Sequence, residues 1–300
     1  MSANSGVIHD LGYRRYDGPR LGRVHIARAL YWHSFRSAFG IGRGAKAKIV
    51  PLIAFGIMCL PAVANAVAVA RGDARIVPYD AYQFLVRVLV MTIFLAAQAP
   101  ELVSRDLRSH VLPLYFARPL RRLDYPLAKY AAFTTACLVV IEVPLLLLYL
   151  GTIAQAHGGS AVWSETRALI PGLLVGVMWA VLLAAIGLAL ASLSGRRAYA
   201  TGAVAVFFFL TFVLARVVFA AIDHTGPVRQ GGPPARTALT GLISPFTVID
   251  NVRQWLGGGP ARGTIELMGH YGPVYGVVFV VLLAASLGGL AARYWRVGVA

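Results

Sequence analysis

Two groups of residues in this sequence have types and spacing that suggest chemistry, and in both it is the chemistry of charge rather than of bond making. The first group lies inside long apolar runs: Gln83 and Arg87 in the second run, Glu142 in the third and Arg216 in the fifth. Charges in such runs are costly, and they pair with an opposite charge or line a cavity. Arg87 and Glu142 each lie about eight residues, roughly 12 Å, from the same end of neighbouring runs. This spacing predicts an ion pair between them, serving either as a clamp or as the lining of a path. Arg216 lies near the end of its run, where a long side chain reaches the interface. The second group is Arg105, Asp106, Arg108, Ser109 and His110, within the segment Glu101–Lys129. There Leu102, Leu107, Val111 and Leu114 fall near helical spacing, and Pro113, Pro119 and Pro126 break the remainder of the segment. A short helix and turn at the mouth of a helix bundle is expected.

Bond-making constellations do not stand out. The sequence has no HExxH, no GxSxG, no Cys/His arrangement and no pair of carboxylates on one helical face. Gly40–Lys48 is Gly- and Lys-rich but lacks the spacing of a phosphate loop. His25 and His33 are two turns apart, which does not make a metal pair, and Cys59 and Cys137 sit inside apolar runs as small packing residues. The expectation is a chain that is not an enzyme and holds no metal or cofactor. If ATP drives it, another polypeptide hydrolyses the ATP.

The elements that must position these charges can be read from composition. Of 300 residues, 58% are hydrophobic and 13% charged, about half the charged share of a soluble domain. The long apolar stretches alternate with short basic ones, the profile of a polytopic all-α membrane protein. The net charge of +16 is then read as basic loops facing anionic lipid head groups, not as nucleic-acid binding, since no binding motif accompanies it. Six runs reach spanning length, at about 49–69, 79–99, 127–150, 169–191, 198–221 and 271–292. Residues 1–48 are polar and basic, with no early apolar core of a cleavable signal peptide.

Basic residues gather before the first run, in Glu101–Pro126, at Arg196 and Arg197, and at Arg293 and Arg296. That asymmetry predicts both termini in the cytoplasm. Within the N-terminal segment, Val24, Ala27, Tyr31, Phe35 and Ala38 form one face of an amphipathic helix, either lying in the interface or packed on the bundle. A long outer loop precedes the sixth span, and its Pro245–Leu256 stretch predicts a short helix, either a lid or a surface element. Gly172–Gly176 and Gly272–Gly276 have GxxxG spacing, and Gly288–Gly289 adds a small patch, as at a dimer face. The preference for Arg over Lys, with abundant Ala, points to a GC-rich bacterial source.

The segment SRDLRSHVLPLYFARPLRRLDYPLAKY resembles the signature region of ABC-2 type permeases, the membrane subunits of bacterial ABC exporters. Arg105 and Asp106 match its charged start, Ala117, Arg118 and Pro119 its middle, and Arg122, Tyr125 and Lys129 its end. Asp106 stands where Glu is usual, and His110 and Ala128 stand where Gly is common. An SPF triplet in the outer loop, six spans and an N-terminal amphipathic helix extend the likeness over the chain. The resemblance implies a permease dimer, of like or unlike chains, in the bacterial inner membrane, with a separate cytoplasmic ABC ATPase beneath each subunit. It makes the stretch from Glu101 a coupling helix between spans two and three. Arg105, Asp106, Arg108, Ser109 and His110 become the contacts to that ATPase. A membrane scaffold or regulatory subunit without transport activity is the alternative.

Overall fold

A computed structural model describes residues 18, 21–71, 79, 84–109, 115, 120–156, 158–223, 239–257 and 271–297. Within them the chain is helical, with no strand. The elements are α1 (Arg23–Ala38), α2 (Lys46–Ala70), α3 (Phe84–Arg108), α4 (Asp124–Ile153), α5 (Gly159–Ser192), α6 (Arg197–Asp223), a 3-10 turn (Thr240–Ile243), α7 (Pro245–Gly257) and α8 (Gly272–Val297). Six of these, α2 to α6 and α8, are long and apolar enough to cross a membrane. Each overlaps one of the six expected runs, although several extend further than the apolar pattern does.

The extension matters most in α3. It does not stop at Ala99 but continues through Pro100 to Arg108, so Glu101–Arg108 is the end of a long helix and not a separate short one. α3 is also the least hydrophobic span, with a mean hydropathy of 1.3, and the most enclosed, with 83% of its apolar window buried; α6 and α8 have 11% buried. The two observations have one cause. A helix surrounded by other helices meets protein instead of lipid, and small or polar side chains there permit close approach. Thr92, Gln98, Glu101 and Ser104 are all buried in α3. Thr135, Thr152 and Thr211 in the spans return their hydroxyls to the preceding turn, as Thr152 does to the Leu148 carbonyl at 2.8 Å, which satisfies those donors in an apolar setting.

The Lys- and Arg-rich ends of the helices meet. Ser104 Oγ donates to the Ala191 carbonyl at 2.9 Å, joining the ends of α3 and α5. Arg293 Nε of α8 donates to the Ser192 carbonyl at 3.3 Å. α1 packs on the bundle against α4 and α3. Arg23 grips Asp124 through two hydrogen bonds of 2.5 Å, and Tyr31 donates to Thr135 Oγ1 at 3.0 Å. The inward face is centred on Leu30, Ser34 and Ala38, with Ala27, Tyr31 and Phe35 of the expected stripe partly buried beside it; only Val24, 80% exposed, lies off it.

The expected GxxxG pairs are used inside the chain. A Cβ on Gly172 would press on Leu145 and the Tyr79 carbonyl, and one on Gly176 would overlap the Glu142 carboxylate. Gly272 and Gly276 form the notch that receives Trp255 of α7. Only the Gly288–Gly289 patch, among these, is open. α7 is not a surface element: Pro245–Arg253 is buried, and Phe246 packs on Trp179, Phe208 and Phe212 at ring distances of 5.2, 5.5 and 6.1 Å.

The α1–α2 turn depends on Gly40, whose φ of +69° favours glycine and whose missing Cβ makes room for the Ala47 carbonyl, 2.6 Å from where that Cβ would stand. Gly42 has φ +84° but open space around it. Gly42→Ala should therefore cost about 1–2 kcal/mol of backbone strain, and Gly40→Ala clearly more, because the turn must open. Thermal unfolding of the detergent-solubilised variants ranks them, and equal losses would refute this account of the turn.

Candidate functional site

The end of α3 is where charge, burial and neighbouring helices come together. Its last two turns carry Glu101, Ser104, Arg105, Asp106 and Arg108, and Ser109 comes next, its hydroxyl turned back to the Arg105 carbonyl at 2.6 Å. Helical spacing divides them. Glu101 and Ser104 point into the bundle and are buried, whereas Arg105, Arg108 and Ser109 are exposed. Asp106 lies between the two faces and is turned toward α4.

There it meets residues from the far side of the proline-rich segment. Tyr125 donates its hydroxyl to Asp106 Oδ2 at 2.6 Å, and Lys129 Nζ donates to the same oxygen at 2.8 Å. Lys129 Nζ also donates to the Leu102 carbonyl at 2.7 Å and stands 5.4 Å from the centre of the Tyr125 ring. The Tyr125 ring in turn contacts Tyr115 at 5.4 Å and Tyr294 of α8 at 5.0 Å. One carboxylate thus ties α3 to α4, and the aromatic cluster carries the tie to α8.

A second junction was not expected from the sequence. Glu101, with 4% of its side chain exposed, pairs with Arg43 of the α1–α2 turn at 2.6 Å through one oxygen and with Arg197 at the start of α6 through the other. No spacing in the sequence links residues 43, 101 and 197. The available signal was an acid placed directly after a proline in an otherwise basic surrounding. At the edge of this region the hydrogen bond to Asp124 raises the pKa of Arg23 above its ordinary value. Arg122 Cζ lies 5.7 Å from the Trp295 ring centre and its Nη1 donates to the Trp295 carbonyl at 3.4 Å.

Of the expected site residues, Arg105, Arg108 and Ser109 are accessible together, and Asp106 is held in the junction. His110 lies outside the described residues, as do Arg118 and Gln83. Deeper in the bundle, Arg87 is buried with its Cζ 5.3 Å from the Trp179 ring centre. Arg87 is within electrostatic reach of Glu142, but both carboxylate oxygens of Glu142 are buried and accept no hydrogen bond. The expected ion pair is not closed: Arg87 lies over an aromatic face of α5, and Glu142 lies against Gly176 of the same helix. Arg216 is half-buried, its Cζ 5.7 Å from the Phe212 ring centre. Beside the α3 end a cavity of about 1290 Å³ opens between Arg108 and the α5–α6 turn, where Arg196 and Tyr199 line it.

No protein-family model matches this sequence, and no curated protein matches it.

The junction is testable. Asp106→Ala would leave the Lys129 ammonium, 5% exposed, without its carboxylate, a loss of about 3–5 kcal/mol for one member of a buried pair. Adding Lys129→Met should restore part of it. Thermal unfolding of the single and double variants measures the coupling, and strictly additive losses would show the two side chains to be independent.

Proposed function

We propose that this chain is the membrane-spanning subunit of an ATP-driven ABC exporter of the ABC-2 type, working as a dimer with separate ATPase subunits. The single observation that carries the reading is that Asp106, Tyr125 and Lys129, three residues of the resembling motif, meet on one carboxylate. In the resemblance they are positions in a pattern, and in the fold they are one mechanical part. Asp106 is then a positioning residue that holds the end of α3 against α4, so that Arg105, Arg108 and Ser109 face outward beside the large open cavity.

Arg105, Arg108 and Ser109 are the contacts to the ATPase in this reading. The excess of Arg and Lys at this end of the helices supports a cytoplasmic setting in a bacterial cell for it and for both termini, by the positive-inside rule. Closure of an ATPase pair would push on a helix end that is continuous with a span, with no hinge between Glu101 and Arg108, and α3 would pass the movement into the centre of the bundle. The weakly enclosed α6 and α8 leave faces for lipid or for a second subunit. ATP hydrolysis belongs to the other polypeptide, and this chain forms the path. A scaffold or regulatory subunit is the second reading, favoured by the enclosure of α3 and α7, which fill the centre and one end of the bundle.

Co-expression with a candidate ATPase carrying a Walker A loop tests the proposal. Stable co-purification with ATP turnover is expected, and Arg108→Glu together with Arg105→Glu should reduce both while the chain remains folded. Asp106→Ala should reduce turnover as well, with a loss of thermal stability that the arginine variants lack. A folded chain that binds no ATPase would refute the exporter reading and support the scaffold.

A further inference from the structure

We infer that the basic end of the bundle holds a specific site for the phosphate of an anionic phospholipid head group. The site is a cavity of about 340 Å³ lined by Arg43, Glu101, Ser104, Arg105, Arg108 and Arg197. Four guanidinium groups from three separate segments share this space with one carboxylate, leaving a formal excess of three positive charges (four Arg less one Glu). Cations so gathered repel one another unless an anion joins them.

Glu101 makes the arrangement more than a patch of loop charges. It is buried, and its two oxygens pair with Arg43 and Arg197 and hold them in place at the cavity wall. Each guanidinium has five N–H donors, and a carboxylate engages at most two of them, so donors remain on both. Arg105 and Arg108, one turn apart on the last turns of α3, have no ion-pair partner among the described residues. Fixed and unengaged guanidinium groups around one cavity form the arrangement that binds phosphate oxygens with several charge-assisted hydrogen bonds.

The surroundings favour a lipid as the source of the phosphate. The cavity lies where the spanning helices end, and basic pockets at that level receive phospholipid head groups. A neighbouring cavity shares Arg43 and Arg105 with it and is walled by Trp32 and Ile41, while Leu193 and Tyr199 flank Gly195 and Arg197; all four are exposed. Apolar and aromatic side chains beside a cationic cavity match the glycerol and upper acyl portion of a lipid whose head group is bound. The inference does not rest on the exporter reading, since it concerns the chain without an ATPase.

The test uses the full chain in a neutral detergent with added short-chain phosphatidylglycerol, short-chain phosphatidylcholine or inorganic phosphate, read by thermal shift and by native mass spectrometry. Phosphatidylglycerol should bind and stabilise the wild type more than phosphatidylcholine does, with an effect that fades as salt rises. Replacing Arg105 and Arg108 by Gln should weaken that binding by about tenfold or more. Both are exposed and outside the Glu101 pairs, so the variant should fold. Arg28→Gln, exposed on α1 and outside the cavity, should leave binding unchanged. Equal binding of the two lipids, or undiminished binding in the double variant, would overturn the proposal. An equal response to inorganic phosphate would overturn the lipid as its source. Effects of Arg105 and Arg108 that appear only when an ATPase is present would reassign the cluster to protein docking.

Discussion

A lysine ammonium that is almost entirely buried must find acceptors within a helix bundle, and Lys129 finds two, the Asp106 carboxylate and the Leu102 carbonyl. Both acceptors belong to α3 and the donor to α4, so satisfying one ammonium sets the register between two long helices. Tyr125 completes the coordination of the same carboxylate and brings α8 to it through Tyr294. Removing a charge from water is costly, and that cost makes the junction directional, because the helices cannot slide by a turn without stranding an ion. This register sets the faces presented at the end of α3.

Glu101 obeys the same rule at the end of α3, whereas Glu142, deeper in the bundle, does not: its carboxylate accepts no hydrogen bond. The most enclosed helix, α3, has the lowest mean hydropathy, and its Thr92 and Ser104 hydroxyls are matched by carbonyls and its Glu101 by two arginines. The least enclosed helices, α6 and α8, have mean hydropathies of 2.5 and 2.3, while α5, 61% buried, reaches 2.6. Glycines serve close contact inside the chain: Gly176 admits the Glu142 carboxylate, and Gly272 and Gly276 admit Trp255. The short α7, entered through Pro245 at its first turn and closed at Gly257, is therefore wedged among α5, α6 and α8.

Much of the fold was legible in the sequence. The six spans, the amphipathic helix before them and the helix starting at Pro245 can all be read from apolar periodicity and from proline and glycine punctuation. The misreadings share a cause. Hydropathy ended the second span at Ala99, but backbone hydrogen bonding carries it to Arg108, since a helix continues past its apolar stretch where protein flanks it. Matching depth brought Arg87 and Glu142 within electrostatic reach on one face of α5, at Trp179 and Gly176, but depth along a helix does not fix where a side chain ends, and no hydrogen bond closes between them.

The sequence by itself determined the all-helical class, the number of spanning helices and the gathering of basic residues at one end of them. These depend on residue type and on spacing along the chain, which local physics converts directly into structure. The tertiary structure alone decided which charges meet. That Arg43, Glu101 and Arg197 form one cluster, and that Asp106 turns inward while Arg105 and Arg108 stay exposed, depends on contacts between segments separated by tens of residues. Electrostatic and packing energies act through space, and only the folded bundle sets those distances.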